Sequence, residues 1–141
     1  MTQHQINLIR ASWAKASSMN TVVVGDLFYG KIFEIAPAAR DMFKGSMAEQ
    51  SRKVFSMLNY VISKLDRLDD IIGEVEKLAR RHTNYGVREE HYSVVGDALL
   101  WTLEQGLGDQ WNDELKQAWA ECYSILATAM INAAAYTADA A

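Results

Sequence analysis

The sequence predicts an all-α fold. Three observations carry that expectation. Apolar residues recur every three or four positions through each long segment, the period of one helix face. Only one proline, Pro37, occurs among 141 residues, and no strand-like alternation of useful length is present. Local start signals also precede two of the segments: Thr2 with Gln5, and Ser46 with Glu49, each spaced as a capping box.

The elements follow in order. Residues 3–18 form a first helix with Ile6, Ile9 and Trp13 on one face. Residues 21–35 form a second, striped by Val24, Phe28 and Ile32. Pro37 suits the first turn of a short helix, because its missing N–H has no partner there anyway. Phe43 closes that helix and Lys44-Gly45 breaks the chain. From Ser46 a long helix carries Gln50, Val54, Leu58, Val61 and Leu65 on one face. A shorter helix, about residues 69–83, carries Ile71, Val75, Leu78 and His82 on one face and stops near Asn84-Tyr85-Gly86. Two long helices follow, about 89–106 and 112–135, the last striped by Leu115, Trp119, Cys122, Leu126 and Ala129. The whole chain, 1–141, reads as one domain, with residues 136–141 as a frayed tail.

Composition narrows the function classes. Half of the residues are apolar, enough for a sizeable core, and the net charge is -4. With no basic patch or tail, nucleic acid is not an expected partner. No apolar run approaches the roughly 20 residues that span a membrane, so no membrane partner is expected either. The first residues, MTQHQINLIR, show no secretory signal pattern. A single cysteine, Cys122, cannot form an internal disulfide, which fits a reducing, cytoplasmic setting.

Two polar residues interrupt apolar stripes. His82 ends one and Gln50 begins another. Burying an unpaired imidazole is costly, so His82 needs a partner. Taken alone, it reads either as a metal ligand or as a core histidine held by hydrogen bonds. His4, in a first helical turn, and His91, after Glu89-Glu90, read as surface residues. Trp13, Trp119 and Met130 read as core.

The order and spacing of these residues resemble the globin family. The segments Leu27-Phe28-Tyr29, Gln50-Ser51-Arg52-Lys53, Arg81-His82 and His91-Tyr92-Ser93-Val94-Val95-Gly96 carry the resemblance, with Pro37 six residues before Phe43. It is closest to bacterial single-domain globins and to the globin part of flavohaemoglobins, and it covers nearly the whole chain. The resemblance implies a globin-like three-over-three helical sandwich around haem b (iron protoporphyrin IX). The group would be held non-covalently, since no C-x-x-C-H pattern is present. It implies His82 as the proximal ligand of iron, with Tyr29 and Gln50 as distal hydrogen-bond donors. Phe43, Val54, Val87, Tyr92 and Val95 would line the cofactor, and Lys53 and Arg81 would pair with its propionates.

Reversible binding of dioxygen, with CO and NO as other diatomic ligands, is the leading function that the resemblance implies. Two strong donors imply high affinity and slow release. The alternative is nitric oxide dioxygenation with a separate reductase, because the chain has no G-x-G-x-x-G dinucleotide fingerprint. A haem-based gas or redox sensor is a further alternative. Flavohaemoglobins pair a tyrosine, here Tyr92, with a last-helix glutamate beside the proximal histidine. Here that region reads Asn132-Ala133-Ala134-Ala135-Tyr136, with no carboxylate until Asp139.

Overall fold

The computed structural model describes residues 1–43, 46–84 and 89–140, with side chains at positions 82–84, 89 and 133–140, and at Ile72, outside the description. Among the described residues every regular element is helical. Helix α1 spans Gln3–Ala16, α2 Thr21–Ile35, α3 Met47–Ser63, α4 Ile72–Asn84, α5 Glu89–Leu107 and α6 Asp113–Ala140. Short 3-10 segments at Pro37–Met42, Leu65–Ile71 and Gly108–Gln110 join them. The last helix runs five residues past the end that its stripe predicts.

Local chemistry sets the starts. Thr2 caps α1 by accepting from the Gln5 N–H at 3.1 Å, and the Gln5 side chain accepts from the Thr2 N–H at 2.9 Å. The expected capping box is therefore complete. Asn20 caps α2 by accepting from the amides of Val22 and Val23. Ser46 accepts from the Glu49 N–H at 3.1 Å, while the Glu49 carboxylate lies 3.7 Å from Lys53 one turn on. Each such cap contributes about 0.5–2 kcal/mol. Pro37 opens its short helix at the first position, as expected.

Packing divides the helices into two sets. Helix α2 lies against α3 and α5, while α4 lies against α6. Helix α5 joins the sets by touching both α2 and α6, and α1 braces α3, α5 and α6. The main core gathers Ile9, Trp13, Val61, Leu65, Ile71, Val75, Ala79 and Trp119. Its polar atoms are paired: the Trp119 indole donates to Ser12 Oγ at 3.0 Å, and the Trp13 indole to Asn59 Oδ1 at 2.6 Å. A second cluster, Phe28, Tyr29, Ile32, Phe33, Ala39 and Ala98, fills the α2–α5 side.

Two glycines permit the closest helix crossings. A Cβ on Gly25 would stand 1.8 Å from Ser51 Oγ and 2.5 Å from Ser51 Cβ. A Cβ on Gly96 would stand 2.7 Å from the Tyr123 ring. At the first crossing, α2 touches α3 only because Gly25 has no side chain. Gly25→Ala should therefore lower stability by about 1–3 kcal/mol through overpacking, despite the better helix propensity of alanine. Adding Ser51→Gly removes the colliding atoms and should restore most of that loss. Denaturant midpoints of the two single variants and the double variant measure this coupling. Additive losses would contradict the crossing.

Candidate functional site

Helices α3 and α4 are not packed on each other. Among the described residues no α3 Cα lies within 8 Å of an α4 Cα. The 3-10 segment Leu65–Ile71 turns the chain between them. Arg67 leaves helical geometry there (φ -142°, ψ 46°), while Leu65 and Ile71 anchor the segment in the core.

Burial along the two predicted stripes is graded. On α3, Val61 is buried, whereas Gln50, Val54 and Leu58 are only half-buried; Leu65, expected as the last member of that helix face, is buried in the following 3-10 segment instead, because α3 ends at Ser63. On the other stripe, Ile71 and Val75 are buried and Leu78 is half-buried. His82 falls within α4, but its side chain lies outside the described residues, as does Val87 altogether. Phe43, Val54, Val94, Val95 and Leu99 pack on the second cluster and keep part of their apolar surface uncovered. Two separated helices with half-covered apolar side chains between their supports fit a flat, largely apolar group. The donor chemistry available, the single histidine His82 within α4, suits an iron that takes four ligands from its own macrocycle.

Tyr29 and Gln50 come together in the fold. The Tyr29 side chain is 3% exposed, and its hydroxyl donates to the Gln50 main-chain carbonyl at 3.2 Å. That is long for an O–H···O bond, whose usual length is about 2.7–2.8 Å, so the bond is weak. An aromatic cluster fixes the ring. Phe43 meets it edge-on at 5.1 Å, and Phe28 and Phe33 flank it at 5.1 and 6.4 Å. Burial pushes the Tyr29 phenol well above its ordinary pKa, because the charged form loses solvation. Tyr29 therefore keeps its proton throughout the neutral range.

The other expected site residues are placed as follows. Lys53 is exposed and pairs with Glu49 of its own helix at 3.7 Å, and Arg81 is exposed on α4. Tyr92 is buried at the start of α5, and burial raises its phenol pKa. Asn132 is exposed on α6. His4 meets Glu114 at 2.8 Å on the surface. Trp13, Trp119, Met130 and Cys122 are buried in the core.

Sequence reasoning passed over Tyr123. Its hydroxyl donates to the Tyr92 carbonyl at 2.5 Å, tying α6 to the start of α5. Its phenol pKa is raised, first by burial and then by Tyr92 and Asp97. The available signal was Gly96, whose missing side chain makes room for that ring.

Comparison with known proteins places the chain in a family. The globin sequence profile matches residues 26–130. A leghemoglobin from Canavalia lineata is 32% identical over 92% of this chain and 93% of its own length. A flavohemoprotein from Chromobacterium violaceum is 31% identical over 74% of this chain, which spans only 26% of that larger protein. The structure of a bacterial globin from Campylobacter jejuni superposes with a TM-score of 0.84 at 26% identity, covering 98% of this chain and 99% of that one. The chain belongs to the globin family, whose fold binds haem and diatomic gases. The expected all-α, globin-like fold is thereby borne out. Among the described residues no helix is long and apolar enough to cross a membrane.

The buried phenols yield a prediction. Tyr29 and Tyr123 have folded pKa values raised above the unfolded value of about 10. The Cys122 thiol is likewise pushed up by burial, to about 11. Each stabilising contribution is complete below the unfolded pKa and is lost as pH climbs towards the folded one. Stability should thus be flat, as far as these groups go, from pH 6 to 8, begin to fall above about pH 9 through Cys122 and fall further above about pH 10 through the two tyrosines. An ultraviolet phenolate titration should show Tyr29 and Tyr123 ionising only with unfolding. Early ionisation of all six tyrosines would contradict the burial.

Proposed function

We propose that this globin binds haem b through His82 and holds dioxygen reversibly, with Tyr29 and Gln50 as the polar groups on the ligand side. When bound, the ferrous haem supplies the atom that takes up dioxygen and makes it a good hydrogen-bond acceptor. The observation that carries the reading is the contact of Tyr29 with Gln50. It brings the two expected donors to one place beside a half-buried apolar face.

The residues then divide the work. A tyrosine has one O–H proton, so donating to a ligand means releasing the Gln50 carbonyl. The 3.2 Å length makes that exchange cheap. The Gln50 side-chain N–H₂ supplies the second donor. Phe43 holds the Tyr29 ring and, with Val54 and Val95, supplies apolar contact to the porphyrin. Val87 and Tyr92 complete the apolar lining in this reading. Lys53 and Arg81 serve the propionates, for which Lys53 must leave Glu49. That surface pair costs little to break, about 0.3–0.5 kcal/mol.

Oxygen release tests the assignment. A hydrogen bond to a charged or strongly polarised group is worth about 1.5–3 kcal/mol, or about ten- to a hundredfold in rate. Tyr29→Phe should speed dioxygen release by that factor in stopped-flow displacement. Gln50→Ala should speed it less if it is the second donor. Release rates unchanged in both variants would remove the distal roles.

The match to a flavohemoprotein favours a second reading, nitric oxide dioxygenation with a separate reductase. Mixing the oxygenated protein with nitric oxide separates the two. Nitrate formed in continuous turnover with a reductase present supports the enzyme; a single stoichiometric burst under the same conditions supports the oxygen binder.

A further inference from the structure

A cavity of about 360 Å³ lies between α1, α2, α3 and α5. Trp13, Val24, Leu58, Leu99 and Leu103 form much of its wall, and no charged side chain lines it. Most polar groups at the wall are already engaged. Ser51 Oγ donates to the Met47 carbonyl at 2.8 Å, and Thr102 Oγ1 to the Ala98 carbonyl at 2.7 Å. The Trp13 indole is taken by Asn59, and the Asn20 side chain caps α2. Gln105 is exposed at the wall. An occupant is therefore offered apolar surface and little to hydrogen-bond.

The mouth is also apolar. Val23 and Leu27 line the cavity while remaining 58% and 37% exposed, and Val22 beside them is 46% exposed. Such exposure on one helix face is a cost unless something covers it. Size limits the occupant. An apolar protein cavity of about 150 Å³ takes benzene. About 360 Å³ is more than twice that, and it exceeds what a diatomic gas fills.

Val54 forms part of the cavity wall and also packs on the cluster containing Phe28 and Tyr29. We propose that this cavity is a second binding site, for a neutral hydrocarbon-like molecule of about two rings, entering between Val23 and Leu27 and acting on the ligand side through Val54. The effect on the ligand side rests on the haem reading above, whereas the binding itself does not. An occupant would press on Val54 and Phe28 from behind, restricting the space that Val54 leaves on its other face.

Naphthalene titrated into the CO-bound holoprotein tests this, read by methyl NMR. Saturable shifts are expected at Val24, Leu58, Leu99 and Leu103, with the Cys122 side of the core unmoved. Val24→Phe should fill the cavity and abolish those shifts. Val23→Asp, at the exposed mouth, should fold normally and weaken binding roughly tenfold. Saturating naphthalene should slow CO recombination after photolysis in the parent protein and leave it unchanged in Val24→Phe. Absent or scattered shifts would overturn the site, as would xenon binding without naphthalene. Binding with no change in CO recombination would overturn the coupling through Val54. A protein that shows no Soret band, yet binds naphthalene at these methyls, would refute the haem reading and not the cavity.

Discussion

The crossing of α2 over α3 at Gly25 and Ser51 is the constraint on which the rest of the structure depends. Ser51 is 1% exposed, with its hydroxyl folded back onto Met47 of its own helix. Nothing larger than a hydrogen fits opposite it at Gly25. The consequences run along both helices. Tyr29 lies one turn beyond Gly25, and Gln50 directly precedes Ser51. Bringing the backbones together at the crossing therefore brings the Tyr29 hydroxyl to the Gln50 carbonyl. A wider crossing would leave a buried phenol without an acceptor, at a cost of about 1–3 kcal/mol. It would also loosen the contact between Tyr29 and Phe43.

With α3 committed to α2, and α4 committed to α6, the two helices are held apart by their own partners. The core beneath them is tied together elsewhere, by α1 and by the buried Trp119–Ser12 bond. A second glycine crossing, Gly96 under Tyr123, fixes the start of α5 against α6. Tyr92 supplies the carbonyl that accepts from Tyr123 in that crossing. The arrangement leaves a partly covered apolar surface that protein alone does not fill. Under the proposed haem reading, a flat prosthetic group would complete the burial of Val95 and Phe43.

Local signals were legible in the sequence and long-range ones were not. The Thr2–Gln5 box and the Pro37 start are found as read; at Ser46 only half of the expected box forms, since Ser46 accepts from the Glu49 N–H while the Glu49 carboxylate turns to Lys53. Along the two expected stripes Val61, Leu65, Ile71 and Val75 are buried, while Gln50, Val54, Leu58 and Leu78 stay half-buried and the His82 side chain lies outside the described residues. Capping chemistry did not reveal the kink at Arg67, because that turn is imposed by the burial of Leu65 and Ile71 on either side. Tyr29 and Gln50 were singled out by family resemblance. Their actual contact runs through the Gln50 main chain, which no side-chain pattern encodes. Lys53 shows the opposite limit: the resemblance points it at a propionate, while its nearest acid in the structure is Glu49, one turn back. The cavity was invisible because its wall is drawn from four elements far apart in sequence. Small residues at Gly25 and Ser51 were readable individually, but nothing in the sequence alone paired them.

The functional reading depends on the proposed ligation of haem iron by His82. An absorption spectrum tests it most directly: ferric, dithionite-reduced and oxygen-exposed protein, recorded beside His82→Ala. Ligation by His82 gives a Soret band that shifts reversibly to an oxygenated form in the parent and is lost or displaced in the variant. A parent that shows no Soret band after haem addition, or a variant with an unchanged spectrum, would contradict it.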